Sequence, residues 1–338
     1  MIIRSKAPLR IGLAGGGTDV SPYSDVYGGA ILNATISLFA YATLIPREDD
    51  TVIFNAIDKN ETETTRIPEM HSKGDLQLLK GVACYIHEKH HKLSTGFELS
   101  TFVDAPAGSG LGTSSTLCVA IIAAFAEWLN IPMGEYDMAQ MAYDIERNYL
   151  GMAGGKQDQY AATFGGFNFM EFFGEKVIVN PLRVKQKYLN EMENNVLLYY
   201  TSTSRLSSTI IEEQQKNVNA KKDKSIEAMH KLKEQSIMMK EAILTGNLDM
   251  IGEILNFGWT FKKQMADGIS NSRIDEIYET AIQNGATGGK ISGAGGGGFM
   301  IFYCPGNSSY KVMQALASFG GDFKRYQFIE HGVRSWKI

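Results

Sequence analysis

The sequence is short of the features that mark several large protein classes. Its three cysteines, Cys84, Cys118 and Cys304, are far apart and lack C-x-x-C spacing. That excludes a disulfide framework or a cysteine zinc site and fits small buried hydrophobes in a reducing compartment. No window approaches the roughly 18 uncharged apolar residues of a membrane-spanning helix. The opening MIIRSKAPLRIG lacks the charged and then apolar pattern of a secretion signal. A soluble, cytoplasmic protein with no membrane partner is expected. Basic charge is not in excess either, with 33 Lys and Arg against 37 Asp and Glu and a net charge of −4. The one basic cluster, Lys221, Lys222 and Lys224, reads as a solvated segment, so no nucleic-acid partner is expected. No repeat of 20–50 residues is visible.

Glycine, by contrast, is abundant: 35 residues, most of them in a few blocks. Concentrated glycine marks loops where backbone must approach a ligand or another backbone closely. The 338 residues are 44% hydrophobic and 21% charged, enough apolar material for two packed halves. Strand-like and helical stretches do not alternate regularly, which indicates an α+β fold rather than repeated βαβ units. A boundary near Pro181 divides the chain into residues 1–180 and 181–338. Ile2 to Leu13 reads as a strand running into Gly15-Gly16-Gly17. Glu135 to Leu150 reads as an amphipathic helix, and Arg325 to Ile329 as a strand. Residues 204–224 are polar and read as a mobile segment or solvated helix, a candidate lid.

Three glycine blocks carry chemistry. Pro106-Ala107-Gly108-Ser109-Gly110-Leu111-Gly112-Thr113-Ser114-Ser115 stands between a strand and a strongly apolar helix. Its glycines let phosphate oxygens reach backbone N–H groups at a helix N-terminus, where the first N–H groups are unpaired and the dipole is positive. A Walker A loop is excluded because no GK[ST] follows the glycines. The first block, Lys6 to Asp19, fails as a dinucleotide fingerprint because Thr18-Asp19-Val20-Ser21-Pro22 interrupts the helix that fingerprint needs. The third, Lys290-Ile291-Ser292-Gly293-Ala294-Gly295-Gly296-Gly297-Gly298-Phe299, has more successive glycines than a turn requires.

The three blocks resemble, in order and across nearly the whole chain, the motifs of the GHMP kinase superfamily (galactokinase, homoserine kinase, mevalonate kinase and phosphomevalonate kinase). The second matches P-x-x-x-G-L-G-S-S, with Thr113 at the first Ser position. The resemblance implies the GHMP kinase fold, with a ribosomal-protein-S5-domain-2-like N-terminal half and a ferredoxin-like C-terminal half. It implies ATP and Mg2+ as cofactors, with the nucleotide phosphates on Pro106, Gly108, Ser109, Gly110, Leu111, Gly112, Thr113, Ser114 and Ser115. Ser114 and Glu146 would hold the metal. Asp158, in Gly154-Gly155-Lys156-Gln157-Asp158-Gln159, matches the aspartate that takes or orients the acceptor proton, with Arg10 beside it. Gly16, Gly17, Thr18, Asp19, Gly295 and Gly296 would bind the substrate.

Within the superfamily, Leu13-Ala14-Gly15-Gly16-Gly17-Thr18-Asp19, the run from Gly154 to Phe172 and the ending Gly332-Val333-Arg334-Ser335-Trp336 are similar to the heptose-phosphate kinase branch. The implied reaction is phosphorylation of the anomeric hydroxyl of D-glycero-D-manno-heptose 7-phosphate. A kinase of an unphosphorylated sugar such as fucose or galactose, an isoprenoid kinase, and a non-catalytic sugar and nucleotide sensor are the alternatives. A substrate that already carries phosphate needs a further basic contact, for which Arg205, Lys156 and Arg183 are the candidates. Oligomeric state is not legible.

Overall fold

The computed structural model describes residues 1–202 and 207–338. The strands are β1 (Ile3–Ala14), β2 (Gly29–Pro46), β3 (Thr51–Ala56), β4 (Glu61–Arg66), β5 (Phe97–Val103), β6 (Phe167–Phe173), β7 (Lys176–Pro181), β8 (Val196–Tyr200), β9 (Gly288–Ile291), β10 (Phe299–Tyr303), β11 (Asp322–Lys324) and β12 (Arg334–Lys337). The helices are α1 (Tyr23–Tyr27), α2 (Gln77–Lys89), α3 (Thr113–Leu129), α4 (Glu135–Tyr143), α5 (Gln157–Phe164), α6 (Gln186–Asn195), α7 (Ser207–Asn219), α8 (Asp223–Thr245), α9 (Met250–Lys262), α10 (Ser272–Gln283) and α11 (Ser308–Leu316).

Two sheets organise them. An eight-stranded sheet runs β12-β1-β2-β5-β3-β4, and β6 and β7 extend from β2. A four-stranded antiparallel sheet runs β11-β8-β10-β9. A division at residue 181 falls after β7, yet β12 returns from the far end of the chain to pair with β1. The stretch 325–329, expected as a strand, forms among the described residues an isolated bridge, Ile36 to Phe328, in which Ser37 N–H donates to the Gln327 carbonyl and Ile329 N–H to the Thr35 carbonyl of β2.

The C-terminal part of β1, Leu9 to Ala14, is buried on both faces, Leu9, Ile11 and Leu13 on one and Arg10 among the residues of the other. Apolar almost all round, α3 buries Cys118 to Phe125 against β1 and β2. On the other side, α8 and α9 bring Met239, Ile243, Ile251 and Leu255 against Leu9, Ile11 and Leu13. The glycine block that ends β1 is thus clamped between the two sets of helices. All three cysteines are buried and unbonded, and burial raises Cys84 to about 11, which keeps it an inert thiol. No helix among the described residues is long and apolar enough to cross a membrane.

Candidate active site

The three glycine blocks, more than 280 residues apart at their extremes, meet around Arg10. This side chain is 3% exposed. Its Nη1 donates to the Gly110 carbonyl (2.6 Å) in the second block and to Ser292 Oγ (3.3 Å) in the third. Its Nε and Nη2 both lie 2.7 Å from Asp158 Oδ1. The Arg10 N–H also donates to the Leu111 carbonyl (3.2 Å). Glycine is obligatory where the second and third blocks touch: at Gly110, with φ +83, a Cβ would stand 2.2 Å from the Ser292 carbonyl oxygen.

A cavity of about 670 Å³ opens over this junction. Its walls include Arg10, Gly17 and Asp19 from the first block and Gly108, Gly110 and Gly112 to Ser115 from the second. Glu146 and Asp158 add carboxylates, Arg147 a guanidinium and Gln157 an amide beside them. The start of α3 faces it with no side-chain cap at Gly112, so its leading N–H groups are directed at the cavity as an anion would need.

Asp158 and Gln159 are consecutive on α5 and so point about 100° apart. Asp158 turns to Arg10, whereas Gln159 Nε2 donates to Glu146 Oε2 (2.6 Å) and Ser115 Oγ (3.1 Å). Ser114 Oγ donates to Glu146 Oε1 at 3.0 Å. Glu146 is only 1% exposed because the helix expected through residue 150 does not continue regularly. After α4 the backbone widens into a π turn, Asp144–Tyr149, with Leu150 N–H reaching back five residues to Ile145 O. Such turns recur at functional sites because the extra residue re-aims the side chains that follow. Ser114 and Glu146 offer a hydroxyl and a carboxylate on the cavity wall. That hard-oxygen pair fits a Mg2+ that completes its shell with phosphate oxygens and water.

Asp19 is buried, and its Oδ2 caps α5 from a distance by accepting from the N–H groups of Lys156 (2.8 Å) and Gln157 (3.0 Å). Gly155 makes room for it: a Cβ there would lie 2.0 Å from Asp19 Oδ2. Burial raises the Asp19 pKa; the Gln157 N–H works against that, and the charge of Asp158 adds to it.

The structure divides the expected site residues into groups. Arg10, Gly17, Asp19, Gly108, Gly110, Gly112, Thr113, Ser114, Ser115, Glu146 and Asp158 all border the cavity. Pro106, Ser109 and Leu111 do not. Leu111 is core, and the Pro106 and Ser109 carbonyls accept bonds that hold the loop against itself and against Phe299. Thr18 also faces inward, its hydroxyl donating to the Gly15 and Ala30 carbonyls (2.8 and 3.0 Å). Gly16 supplies a carbonyl to a lysine rather than a surface to a ligand. Gly295 and Gly296 turn to Ile269, where a Gly295 Cβ would sit 2.8 Å from its Cα, and Gly293 and Ala294 line the cavity in their place. Lys156 donates to the Gly174 carbonyl over the Tyr143 ring, outside the cavity, and Arg183 does not line it. Arg205 lies outside the described residues. The polar stretch expected as a lid contains α7, whose Ser208, Ile211, Glu212 and Gln214 form a wall of the cavity.

Sequence reasoning missed the polar side chains of the second half that serve the first glycine block. Gln235 Oε1 accepts from Gly15 N–H (3.2 Å), Lys262 Nζ donates to Gly16 O (2.9 Å) and Lys290 Nζ to Gly12 O (2.7 Å). Burial lowers Lys290 to about 7, helped by the positive charges of Lys262 and Arg10. It lowers Lys262 to about 8, with Asp19 opposing and Arg10 adding. Lys290 had a signal, since it opens the third block; Lys262 and Gln235 had none beyond their place in helical patterns.

A sequence profile of the GHMP kinases N-terminal domain matches residues 77–166, and one of the GHMP kinases C-terminal matches residues 239–322. The chain is 47% identical, over 99% of its length and 99% of the relative's, to a D-glycero-alpha-D-manno-heptose 7-phosphate kinase of Campylobacter jejuni. Among solved structures it is similar to a D-glycero-D-manno-heptose 1-phosphate kinase from Bacteroides thetaiotaomicron. That match has a TM-score of 0.83 and 41% identity and covers 99% of both chains. The Lactococcus lactis galactokinase complexed with galactose has a TM-score of 0.79 at 20% identity over 98% of this chain and 95% of that one, a likeness of fold.

Proposed function

The chain belongs to the GHMP kinase family, and from that premise we propose that it transfers the γ-phosphoryl group of ATP to the anomeric hydroxyl of D-glycero-D-manno-heptose 7-phosphate. The product would be the 1,7-bisphosphate. The observation that carries the reading is the Arg10–Asp158 pair on the cavity wall, within the same cavity as the open N-terminus of α3. Similarity over the full length to the Campylobacter enzyme supports the sugar. The names of the two heptose kinases differ in the phosphate they specify, and only a sugar with a free C1 hydroxyl can accept there.

In this reading the α3 N-terminus and the loop from Gly108 to Gly112 hold the nucleotide phosphates through backbone N–H groups, the role a Walker lysine shares elsewhere. Ser114 and Glu146 would hold Mg2+, which when bound would supply charge neutralisation to the phosphates. Asp158 takes the proton of the attacking hydroxyl as its oxygen bonds to the γ-phosphorus. The bond from that phosphorus to the bridging oxygen breaks, and ADP leaves. Arg10 holds one oxygen of the Asp158 carboxylate, and the second would accept from the substrate hydroxyl. The protein would act in the cytoplasm on small molecules.

ADP release measured with heptose 7-phosphate, heptose 1-phosphate, fucose, galactose and mevalonate tests the proposal. Heptose 7-phosphate should give the highest kcat/KM by at least tenfold, with phosphorus NMR showing a new anomeric phosphate. A higher value with any other acceptor overturns the substrate, and ATP binding without turnover on any of them overturns the activity.

A further inference from the structure

Three buried polar atoms on residues that line the cavity have no hydrogen-bond partner: Asp19 Oδ1, Gln157 Oε1 and Gln214 Nε2. Interiors rarely leave such atoms unpaired, so together they call for a partner from outside the chain. Gln214, on α7, is 2% exposed, and the buried Lys262 ends α9. Gly17 lets both come close to the first glycine block. With φ +104, it has no side chain to fill the position where a Cβ would lie 2.6 Å from Met265 Cε, 3.2 Å from Lys262 Nζ and 3.4 Å from Gln214 Oε1. Lys262 uses one N–H on the Gly16 carbonyl and keeps further donors.

We propose that Gln214 and Lys262 are specificity-determining residues that, with Asp19, bind hydroxyl groups of the acceptor sugar; this rests on the sugar-kinase reading above. The chemistry of the set selects the ligand. Asp19 Oδ1 and Gln157 Oε1 accept, while Gln214 Nε2 and Lys262 Nζ donate. A hydroxyl does both, so neighbouring hydroxyls of a polyol satisfy both kinds of group. A phosphate dianion only accepts, and here it would lie among the carboxylates of Asp19 and Asp158. The hydroxylated part of the sugar, not its phosphate, is therefore the match. A site built to pair with hydroxyls also rejects an acceptor that lacks them, because its own polar groups are then left unpaired.

Steady-state kinetics on the full chain test this, with heptose 7-phosphate as substrate and unphosphorylated heptose as competitive inhibitor. Gln214→Ala and Lys262→Met should each raise the sugar KM about tenfold or more, and the heptose Ki by the same factor. The ATP KM should stay within twofold, and Lys262→Arg should recover part of the loss. Should Lys262→Met fail to fold, as a lowered melting temperature would show, Gln214→Ala carries the test. An unchanged sugar KM in Gln214→Ala overturns the proposal. An effect on heptose 7-phosphate with none on unphosphorylated heptose also overturns it, by assigning Lys262 to the phosphate. If the wild-type chain turns over no heptose phosphate, the proposed reaction has failed separately. Titration calorimetry of both sugars against wild type and Gln214→Ala then decides, and equal binding or none overturns the proposal.

Discussion

Arg10 and Asp158, 148 residues apart, share one contact in which two guanidinium nitrogens lie 2.7 Å from a single carboxylate oxygen. Arg10 is 3% exposed and Asp158 24%, so the cation is the more deeply buried partner, and both residues border the cavity. Asp158→Asn removes the proposed proton acceptor and keeps the shape. A positioned general base contributes about 10²–10⁴ in rate, and kcat should fall by that order while ATP affinity, measured by fluorescence titration, changes less than threefold. A kcat near the wild-type value would remove Asp158 from catalysis.

Gly112 governs the same carboxylate from the other side. Its φ is +77, and a Cβ there would lie 3.0 Å from Asp158 Cγ. Gly112→Ala therefore combines left-handed backbone strain of about 1–2 kcal/mol with a push on the carboxylate. Melting temperature should drop by several degrees, and kcat should drop more than the sugar KM rises. A variant with wild-type kcat would show that Asp158 tolerates displacement.

How much of this was legible in sequence depended on whether the cause was local. The P-x-x-x-G-L-G pattern before an apolar helix announces a loop and a helix N-terminus because glycine and caps act within a few residues. Asp158 and Glu146 were nominated by resemblance to the family's motifs, and both border the cavity. Burial of Glu146, however, depends on the π turn at Asp144–Tyr149, and nothing in Asp-Ile-Glu-Arg-Asn-Tyr distinguishes that turn from ordinary helix. Thr18, Gly295 and Gly296 looked like ligand contacts because their type and motif fit, but their neighbours 12 to 27 residues away take up their bonds or space. Lys262 and Gln214 were invisible because each needs a backbone partner or cavity more than 190 residues distant in sequence.

Ser114 and Glu146 are the pair proposed above to hold Mg2+, and removing the hydroxyl tests that role gently. Ser114 is partly exposed and donates one bond, to Glu146 Oε1. Ser114→Ala should raise the Mg2+ concentration for half-maximal rate about tenfold and shift the melting temperature by no more than about 2 °C, since one such hydrogen bond is worth about 1 kcal/mol. An unchanged Mg2+ titration would take Ser114 out of the metal shell.

Lys290 gives the fold a pH dependence whose sign follows from its burial. Unfolded, the ammonium titrates near the ordinary value of 10.5; folded, burial and the charges of Lys262 and Arg10 hold it at about 7. Below about 7 both states carry the proton, so the cost of burying the charge is fully present. Between about 7 and 10 the unfolded chain binds a proton that the native chain lacks, and stability rises with pH by up to about 1.4 kcal/mol per unit. Lys262, held at about 8, adds the same sign over a narrower range. Lys290→Met replaces the ammonium with an apolar chain of similar length and removes only the first contribution. Urea unfolding at pH 7 and pH 9 should show a smaller gain in stability for the variant than for wild type. At pH 6.5 the variant should lose less than deletion of the Gly12 hydrogen bond alone would cost, because it no longer buries a charge. Equal pH slopes in the two proteins would mean that Lys290 keeps its proton in the folded state through pH 9.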